Sequence, residues 1–256
     1  TCNSGTSALL LALLSIDLKS GDNIIMPSVN FIASYNMSKF LKARILLADV
    51  NSSTGQMDPK NVVECIKKNK LRKIKAIITM YLGGSPENII DFYKLKKKYN
   101  FYLIEDACHA FGSEYLFKNK KLKIGSCKHS DISTFSFHPL KTITTGEGGA
   151  VTTNKYNLFN KIKTLRSHSI VKSKKNYWKY NAKSIGFNFR LSDINCSLGI
   201  TQLKKINKIL NKRRKIANIY SQKFKKLNEL IHIPEYQNGK NSSWHLYLAK
   251  FNFSLI

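Results

Sequence analysis

Apolar residues along this chain follow two spacings that alternate. Some form short continuous runs, which are typical of strands buried on both faces. Others recur at helical spacing, and the hydroxyl residues at 4–7 suit the start of the first helix. Strands that alternate with helices predict an α/β fold, a mostly parallel sheet covered by helices. The predicted strands are 23–26, 44–50, 76–80 and 102–105, and the predicted helices are 8–16, 34–43, 59–68 and 89–99.

The second half of the chain continues this pattern with one change. The segments 133–137 and 149–153 have strand character, and the short distance between them predicts an antiparallel pair around 141–148. A long helical pattern covers 192–224. Residues from Ile231 onward again have strand character.

Composition places the chain among globular proteins. It has 256 residues, of which 43% are hydrophobic, so it can bury a substantial core. Its formal net charge of +28 would suit a nucleic-acid partner. The dense basic segments 94–98 and 204–215, however, alternate lysine with leucine and isoleucine at helical spacing, which is typical of solvated helix faces. We therefore expect no nucleic-acid partner, and a modest attraction for anionic nucleotide substrates.

The five cysteines are widely scattered, and no two of them have the spacing of metal ligands. Neither a disulfide framework nor a metal site is predicted. Reduced thiols indicate a cytoplasmic location. The apolar run at 8–16 is too short to cross a bilayer, so a membrane partner is not predicted either.

Three local patterns suggest chemistry, and each also has an ordinary structural interpretation. Lys141 has uncharged neighbours, which favour the neutral amine that reacts with carbonyl groups, but it could be a plain loop lysine. Asp106 ends a predicted buried strand, where a carboxylate can pair with a protonated cofactor ring or simply cap a helix. The segment 4–7 begins a helix, whose N–H groups and dipole favour a phosphate.

Five segments follow one another along the chain in a specific order: SGTSAL at 4–9, IMPSVNFIAS at 25–34, IEDACHA at 104–110, FSFHPLKTITTGEGGAV at 135–151 and GFNFRLSDI at 186–194. Taken in order, they resemble the DegT/StrS family of sugar aminotransferases, which depend on pyridoxal 5'-phosphate (PLP). The likeness extends from the first residues to about Tyr247. Five motifs in one order are far more specific than any one of them.

The resemblance implies a fold and a domain organisation. The fold is the PLP-dependent transferase fold type I, like that of aspartate aminotransferase. Residues 1–210 would form the PLP-binding large domain, and residues 211–256 would begin a small C-terminal α+β domain. The segment that precedes the SGTSAL motif in the family, and the rest of the small domain, would then be missing from this chain.

The resemblance also assigns catalytic roles to three residues. Lys141 matches the lysine that binds PLP covalently and moves protons at the substrate carbon. Asp106 matches the acid that pairs with the pyridine nitrogen. His109 lies at a position, often glutamine in relatives, beside the phenolic oxygen or the ring of the cofactor.

The other implied residues bind the cofactor. Gly5 and Thr6 at the helix start match phosphate ligands, as does Ser136. Phe31 matches an aromatic residue that stacks on the ring, although core packing would also explain it. Asn188 matches an asparagine that reaches the phosphate of the neighbouring subunit's cofactor, so a homodimer with shared active sites is expected. Arg190 would be structural or lie at the same interface.

The reaction type follows from Lys141. Related PLP-dependent sugar dehydratases carry a histidine at this position, so the lysine favours transamination. The segment around Lys141, with 166–168 and 244–247, most resembles the pseudaminic-acid branch. Those enzymes aminate C4 of a UDP-linked 4-keto-6-deoxy N-acetylhexosamine, with glutamate as the amino donor. The alternatives are an aminotransferase of the perosamine or bacillosamine type, or a non-catalytic basic binding protein with the same fold.

Overall fold

A computed structural model describes residues 1–173, 175–176, 178–182, 184–233, 235–236, 238 and 241–255. The strands are β1 (Asn23–Pro27), β2 (Arg44–Ala48), β3 (Ala76–Met80), β4 (Tyr102–Asp106), β5 (Glu114–Phe117), β6 (Lys120–Lys123), β7 (Ile132–Ser136), β8 (Gly149–Thr152), β9 (Ile170–Lys172), β10 (Tyr180–Ala182), β11 (Ile231–His232) and β12 (Lys250–Phe251). The α-helices are α1 (Gly5–Ser15), α2 (Ile32–Phe40), α3 (Pro59–Lys68), α4 (Ile89–Tyr99), α5 (Tyr156–Leu165), α6 (Asp193–Lys204) and α7 (Ile206–Phe224).

Six of the strands form one central sheet in the order β2-β1-β3-β4-β7-β8. All neighbouring pairs are parallel except β7 and β8, which pair antiparallel as predicted. One face of the sheet packs on α3 and α4, with Val62 and Phe92 in its core. The other packs on α1 and α5, with Leu13 and Leu158 in its core. The α/β fold with a helix-covered, mostly parallel sheet is confirmed.

Several predicted boundaries were wrong, each for a physical reason. The segment 44–50 was expected to be a buried strand, but β2 is an edge strand that ends at Ala48, and Leu47 is 54% exposed. Helix α2 begins two residues before the predicted start because the backbone of Phe31 is extended and the helix follows it directly. It ends before Lys42, whose φ of 57° forms a tight turn into β2. The pattern at 192–224 divides at Lys205 into α6 and α7.

The β5–β6 hairpin was not predicted. Its second strand is the lysine-rich segment Lys120–Lys123, in which Leu122 is the only apolar residue, so no alternation of apolar and polar residues marks it as a strand. The two strands pair antiparallel. The turn between them is made by Lys118 and Asn119, both with positive φ.

The start of α1 is fixed against the end of the sheet. Ser4 caps the helix, and its Oγ accepts a hydrogen bond from the Ser7 N–H at 3.0 Å. Cys2 forms an antiparallel bridge with Gly149 at the start of β8. A Cβ on Gly5 would lie 2.7 Å from the Cβ of Ser136, the last residue of β7. Glycine at position 5 therefore lets the helix N-terminus approach the carboxyl end of β7.

The predicted domain boundary at residue 210 falls inside α7, which is continuous across it. After α7, β11 and β12 form a separate antiparallel pair. The division into 1–210 and 211–256 stays a prediction, and Ile256 lies outside the described residues. All five cysteines are free. Within the described ranges, no helix is both long and apolar enough to span a membrane.

Candidate active site

A cavity of about 340 Å³ lies beyond the carboxyl ends of β3, β4 and β7. This is the edge of a parallel sheet at which ligands bind in open α/β proteins. A larger and more open cleft, of about 870 Å³, contains none of the predicted site residues. The smaller cavity is lined by every predicted site residue except Asn188: Gly5, Thr6, Phe31, Asp106, His109, Ser136 and Lys141.

Asp106 is held at the cavity by the end of β4. Its side chain is almost fully buried. One carboxylate oxygen accepts a hydrogen bond from the Ser34 hydroxyl at 3.3 Å, and the other accepts the Cys108 N–H at 3.1 Å. A carboxylate has about four acceptor positions, so it keeps capacity for a donor inside the cavity.

The N-terminus of α1 forms another part of the wall. Its first amides, those of Gly5 and Thr6, have no acceptor within the helix, and both residues line the cavity at the positive end of the helix dipole. Ser136 lies beside them, and the absent Cβ of Gly5 leaves room for the Ser136 side chain. Backbone amides, a helix dipole and a hydroxyl together form an arrangement that suits a phosphate group.

Lys141 lies in the loop between β7 and β8, where its N–H donates to the carbonyl oxygen of His138 at 2.9 Å. Its side chain is half-buried and lines the cavity. Among the described residues, its ammonium group forms no ion pair and no hydrogen bond. Glu147, which also lines the cavity, places its Oε1 atom 3.9 Å from Nε2 of His138 rather than beside Lys141. Lys141 is therefore available to a ligand.

Two of the three histidines that line the cavity with Lys141 pack against each other. The ring centroids of His109 and His245 are 4.3 Å apart and the rings are tilted by 44°. Burial lowers the pKa of His109 to about 3, followed by the positive charge of Lys141 and by the charge that His245 would carry when protonated. Burial, followed by Lys141 and Arg213, lowers the pKa of His245 to about 4. Both rings are therefore neutral near pH 7. Each has a buried Nδ1 atom with no hydrogen-bond partner among the described residues.

Phe31 and Asn188 lie differently from the other predicted residues. Phe31 lines the cavity but is 63% exposed, so it does not serve core packing here. Asn188 is exposed, pairs through its backbone with Ser167, and does not line the cavity. Arg190 is also exposed. The role of Asn188 toward a second subunit stays a prediction.

Sequence reasoning missed several residues that line the cavity. His245 belongs to the segment 244–247, which was used only to compare branches, and nothing local marks it as part of a site. Cys108 lies two residues after Asp106. Burial is the main cause that raises the pKa of its thiol well above the usual value, and the charge of Asp106 is the next. The other missed lining residues are Ser4, Leu9, Ala33, Met80, His138, Leu140 and Glu147.

Comparison with known proteins places this cavity in context. Residues 1–254 match the DegT/DnrJ/EryC1/StrS aminotransferase family. The chain belongs to that family. A relative from Campylobacter jejuni, named UDP-4-amino-4,6-dideoxy-N-acetyl-beta-L-altrosamine transaminase, is 42% identical over 245 residues, which are 96% of this chain and 62% of the relative. This member of the DegT/DnrJ/EryC1/StrS family thus spans about three fifths of the length of that curated relative.

Solved structures of relatives have the same fold. Helicobacter pylori PseC, described as an aminotransferase involved in the biosynthesis of pseudoaminic acid, superposes with a TM-score of 0.86 at 34% identity, covering 99% of this chain and 65% of PseC. NtdA from Bacillus subtilis, solved with bound cofactor PMP, has a TM-score of 0.85 at 26% identity, covering 99% of this chain and 55% of NtdA. The expected fold of the PLP-dependent aminotransferases is confirmed.

Proposed function

We propose that this chain is the PLP-binding part of an aminotransferase that transfers an amino group to a nucleotide-linked keto-sugar. The observation that carries the proposal is that Lys141 and Asp106 line one cavity together with the N-terminus of α1. These are the groups needed to bind an aldehyde, a ring nitrogen and a phosphate of one cofactor. Family membership supports this reading, and NtdA, a relative of similar fold, holds the related cofactor PMP.

The residues present fit PLP. Because Gly5 has no Cβ, the α1 amides and Ser136 lie close together where we propose that the phosphate binds. His109 has a buried Nδ1 without a partner among the described residues, in the same cavity as Asp106. A ring with polar substituents would give that atom a partner. Phe31, exposed at the mouth of the cavity, would cover the face of the ring.

When bound, PLP supplies an electron sink that stabilises negative charge at the substrate carbon. The residues of the chain supply the rest. The buried Asp106 carboxylate keeps a proton on the pyridine nitrogen by accepting its hydrogen bond. The Lys141 amine would take the proton from the amino-bearing carbon of the donor as a general base, and would deliver it as a general acid to the former aldehyde carbon of the cofactor; the reverse transfer would serve the keto-sugar. The neutral ring of His109 donates or accepts one hydrogen bond without adding charge.

The substrate is proposed from the relatives. We infer a UDP-linked 4-keto-6-deoxy N-acetylhexosamine aminated at C4, with glutamate as the donor, since the Campylobacter relative is named for a UDP-linked 4-amino sugar of this class. The experiment is amino transfer from glutamate to a panel of UDP-, GDP- and dTDP-linked 4-keto-sugars. Turnover with the UDP-linked N-acetyl sugar supports the proposal. A preference for GDP-linked 4-keto-6-deoxymannose would favour the perosamine type instead.

A homodimer and a cytoplasmic location are also proposed. Helix α6 has no buried residue in this chain, and its Ile194 is 84% exposed, as is the nearby Ile185. Exposed apolar side chains on one helix favour burial against another protein surface. A second copy placed there would lie near Asn188, which shortly precedes α6 in the chain. Sedimentation equilibrium tests this, and a monomer at micromolar concentration would contradict it.

A further inference from the structure

One histidine of the cavity packs against His109 although nothing in the local sequence marks it. His245 lines the same space as Lys141, and its ring packs on that of His109 with 4.3 Å between centroids. It comes from the segment 242–246, after α7, rather than from a loop of the central sheet. The question is whether this contact serves only packing.

The segment 242–246 is held from two sides. On one side, the Ser243 hydroxyl donates to the carbonyl oxygen of His109 at 2.7 Å, and the Ser243 N–H donates to the Ser113 hydroxyl at 2.9 Å. Both Ser242 and Ser243 are fully buried. These hydrogen bonds fix the segment to the loop that carries His109, so they restrict the position of His245.

On the other side, α7 holds the carbonyl groups of the segment. Arg213 donates to the carbonyl oxygens of Trp244 and His245, both at 3.1 Å, and Arg214 donates to that of Ser242 at 3.1 Å. The backbone of Trp244 has a φ of 47°, in the left-handed region that a bulky residue rarely adopts. Such strain persists only where surrounding contacts enforce it, and it often accompanies a functional side chain. Here it turns His245 toward the cavity.

The ring nitrogens of the pair argue for a ligand. The Nδ1 atoms of His109 and His245 are both buried without a partner among the described residues. A buried polar atom without a hydrogen bond destabilises a fold, and an aromatic hydrocarbon ring would pack here without that cost. Histidine at position 245 therefore gives the folded chain no advantage over phenylalanine. A ligand that bonds to the ring would supply one.

The surroundings indicate which chemistry that ligand has. Burial, and after it the charges of Lys141 and Arg213, lowers the pKa of His245, so positive charge lies close to its ring. A neutral imidazole in such a region suits an oxygen acceptor with negative charge. Two sources provide one in the proposed reaction, namely the carboxylate of the amino donor and the polar groups of the nucleotide-sugar.

We propose that His245 is a specificity-determining residue that forms a hydrogen bond from its ring to an oxygen of a substrate bound beside His109. This inference rests on the proposed aminotransferase function and extends it to a residue outside the motifs that suggested that function. It also gives the 242–246 segment a role, which is to present His245 to the substrate.

The test compares His245→Phe with His245→Gln, and with His232→Phe as a control on an exposed histidine. Three quantities are measured: the melting temperature of the cofactor-free protein, the dissociation constant for PLP, and the KM for each substrate separately. His245→Phe should leave the melting temperature unchanged or raised, and PLP affinity unchanged. It should raise one KM by about three- to tenfold, the effect of one lost hydrogen bond. His245→Gln should restore part of it.

The two KM values distinguish the sources of the oxygen. A rise for the amino donor alone assigns the contact to its carboxylate, and a rise for the keto-sugar alone assigns it to the sugar nucleotide. Unchanged KM values in both variants would overturn the inference, as would a lower melting temperature with unchanged KM. Failure of the proposed function would appear in the wild-type protein, as no PLP binding and no transfer, whereas failure of this inference would leave the wild type active.

Discussion

Replacing Gly5 by alanine should move α1 away from β7 at the proposed phosphate site and lower the stability of the protein. The added Cβ would lie 2.7 Å from the Cβ of Ser136, against an ordinary contact distance of about 3.4 Å or more, so α1 and β7 must separate by roughly 0.7 Å. Overpacking of this kind costs about 1–3 kcal/mol. Alanine also lowers the conformational entropy of the unfolded chain, which stabilises the folded state by about 0.4–1 kcal/mol, so a net loss of stability remains. The displaced α1 amides should also bind a phosphate less tightly.

The assay is thermal unfolding of Gly5→Ala without cofactor, followed by titration with PLP. For a chain of this size, each kcal/mol corresponds to about 2–4 °C in melting temperature. The matched control is the double variant Gly5→Ala/Ser136→Gly, in which the nearest remaining contact of the new Cβ is the Cα of residue 136 at 3.3 Å, so part of the loss should be recovered. A Gly5→Ala protein as stable as the wild type, or a double variant with purely additive losses, would refute the reasoning.

Two further predictions concern buried titratable side chains. Asp131→Ala should lower the free energy of unfolding by about 2–3 kcal/mol, because the buried Asp131 carboxylate accepts the Leu103 N–H at 2.8 Å and pairs with Lys96 and Lys155. The control Lys155→Met, at a half-exposed position, should lower it by less than about 1 kcal/mol. Urea unfolding measures both values, and equal losses in the two variants would contradict the prediction. The lowered pKa of His109, about 3 against an ordinary 6.5, means that its contribution to stability is present above pH 6.5 and is lost as the pH falls toward 3. Between pH 7 and pH 4, the free energy of unfolding of His109→Gln should therefore fall less than that of the wild type. Parallel plots of this free energy against pH for the two proteins would contradict a buried neutral ring.

The central strands were predictable because they are buried on both faces. All five residues of β3 are buried, and four of the five in β4, so their apolar runs are continuous in the sequence. The ends of α2 were displaced because they depend on the extended backbone at Phe31 and the turn at Lys42, which hydrophobic spacing does not record. A surface hairpin such as β5–β6 buries too little to leave a pattern.

The candidate site was predictable as far as it lies in motifs. Lys141, Asp106 and the helix start are adjacent to glycine, strand or capping patterns that suggest chemistry locally. His245 is different, because its place beside His109 results from hydrogen bonds made by Ser243 and Arg213, far apart in the chain. No spacing rule links such residues. Asn188 presents the opposite case, since its expected role involves a second subunit and it lies outside the cavity of its own chain.

The central claim is that Lys141 binds PLP covalently in the cavity beyond β4 and β7. The most direct measurement is an absorbance spectrum of the purified protein with added PLP, followed by borohydride reduction and peptide mapping, with Lys141→Ala and the exposed Lys118→Ala as the paired variants. We expect a band at roughly 400–430 nm in the wild type and in Lys118→Ala, and a reduced adduct on the peptide that contains Lys141. Absence of the band from a folded wild-type protein, or the same adduct yield in Lys141→Ala, would contradict the account.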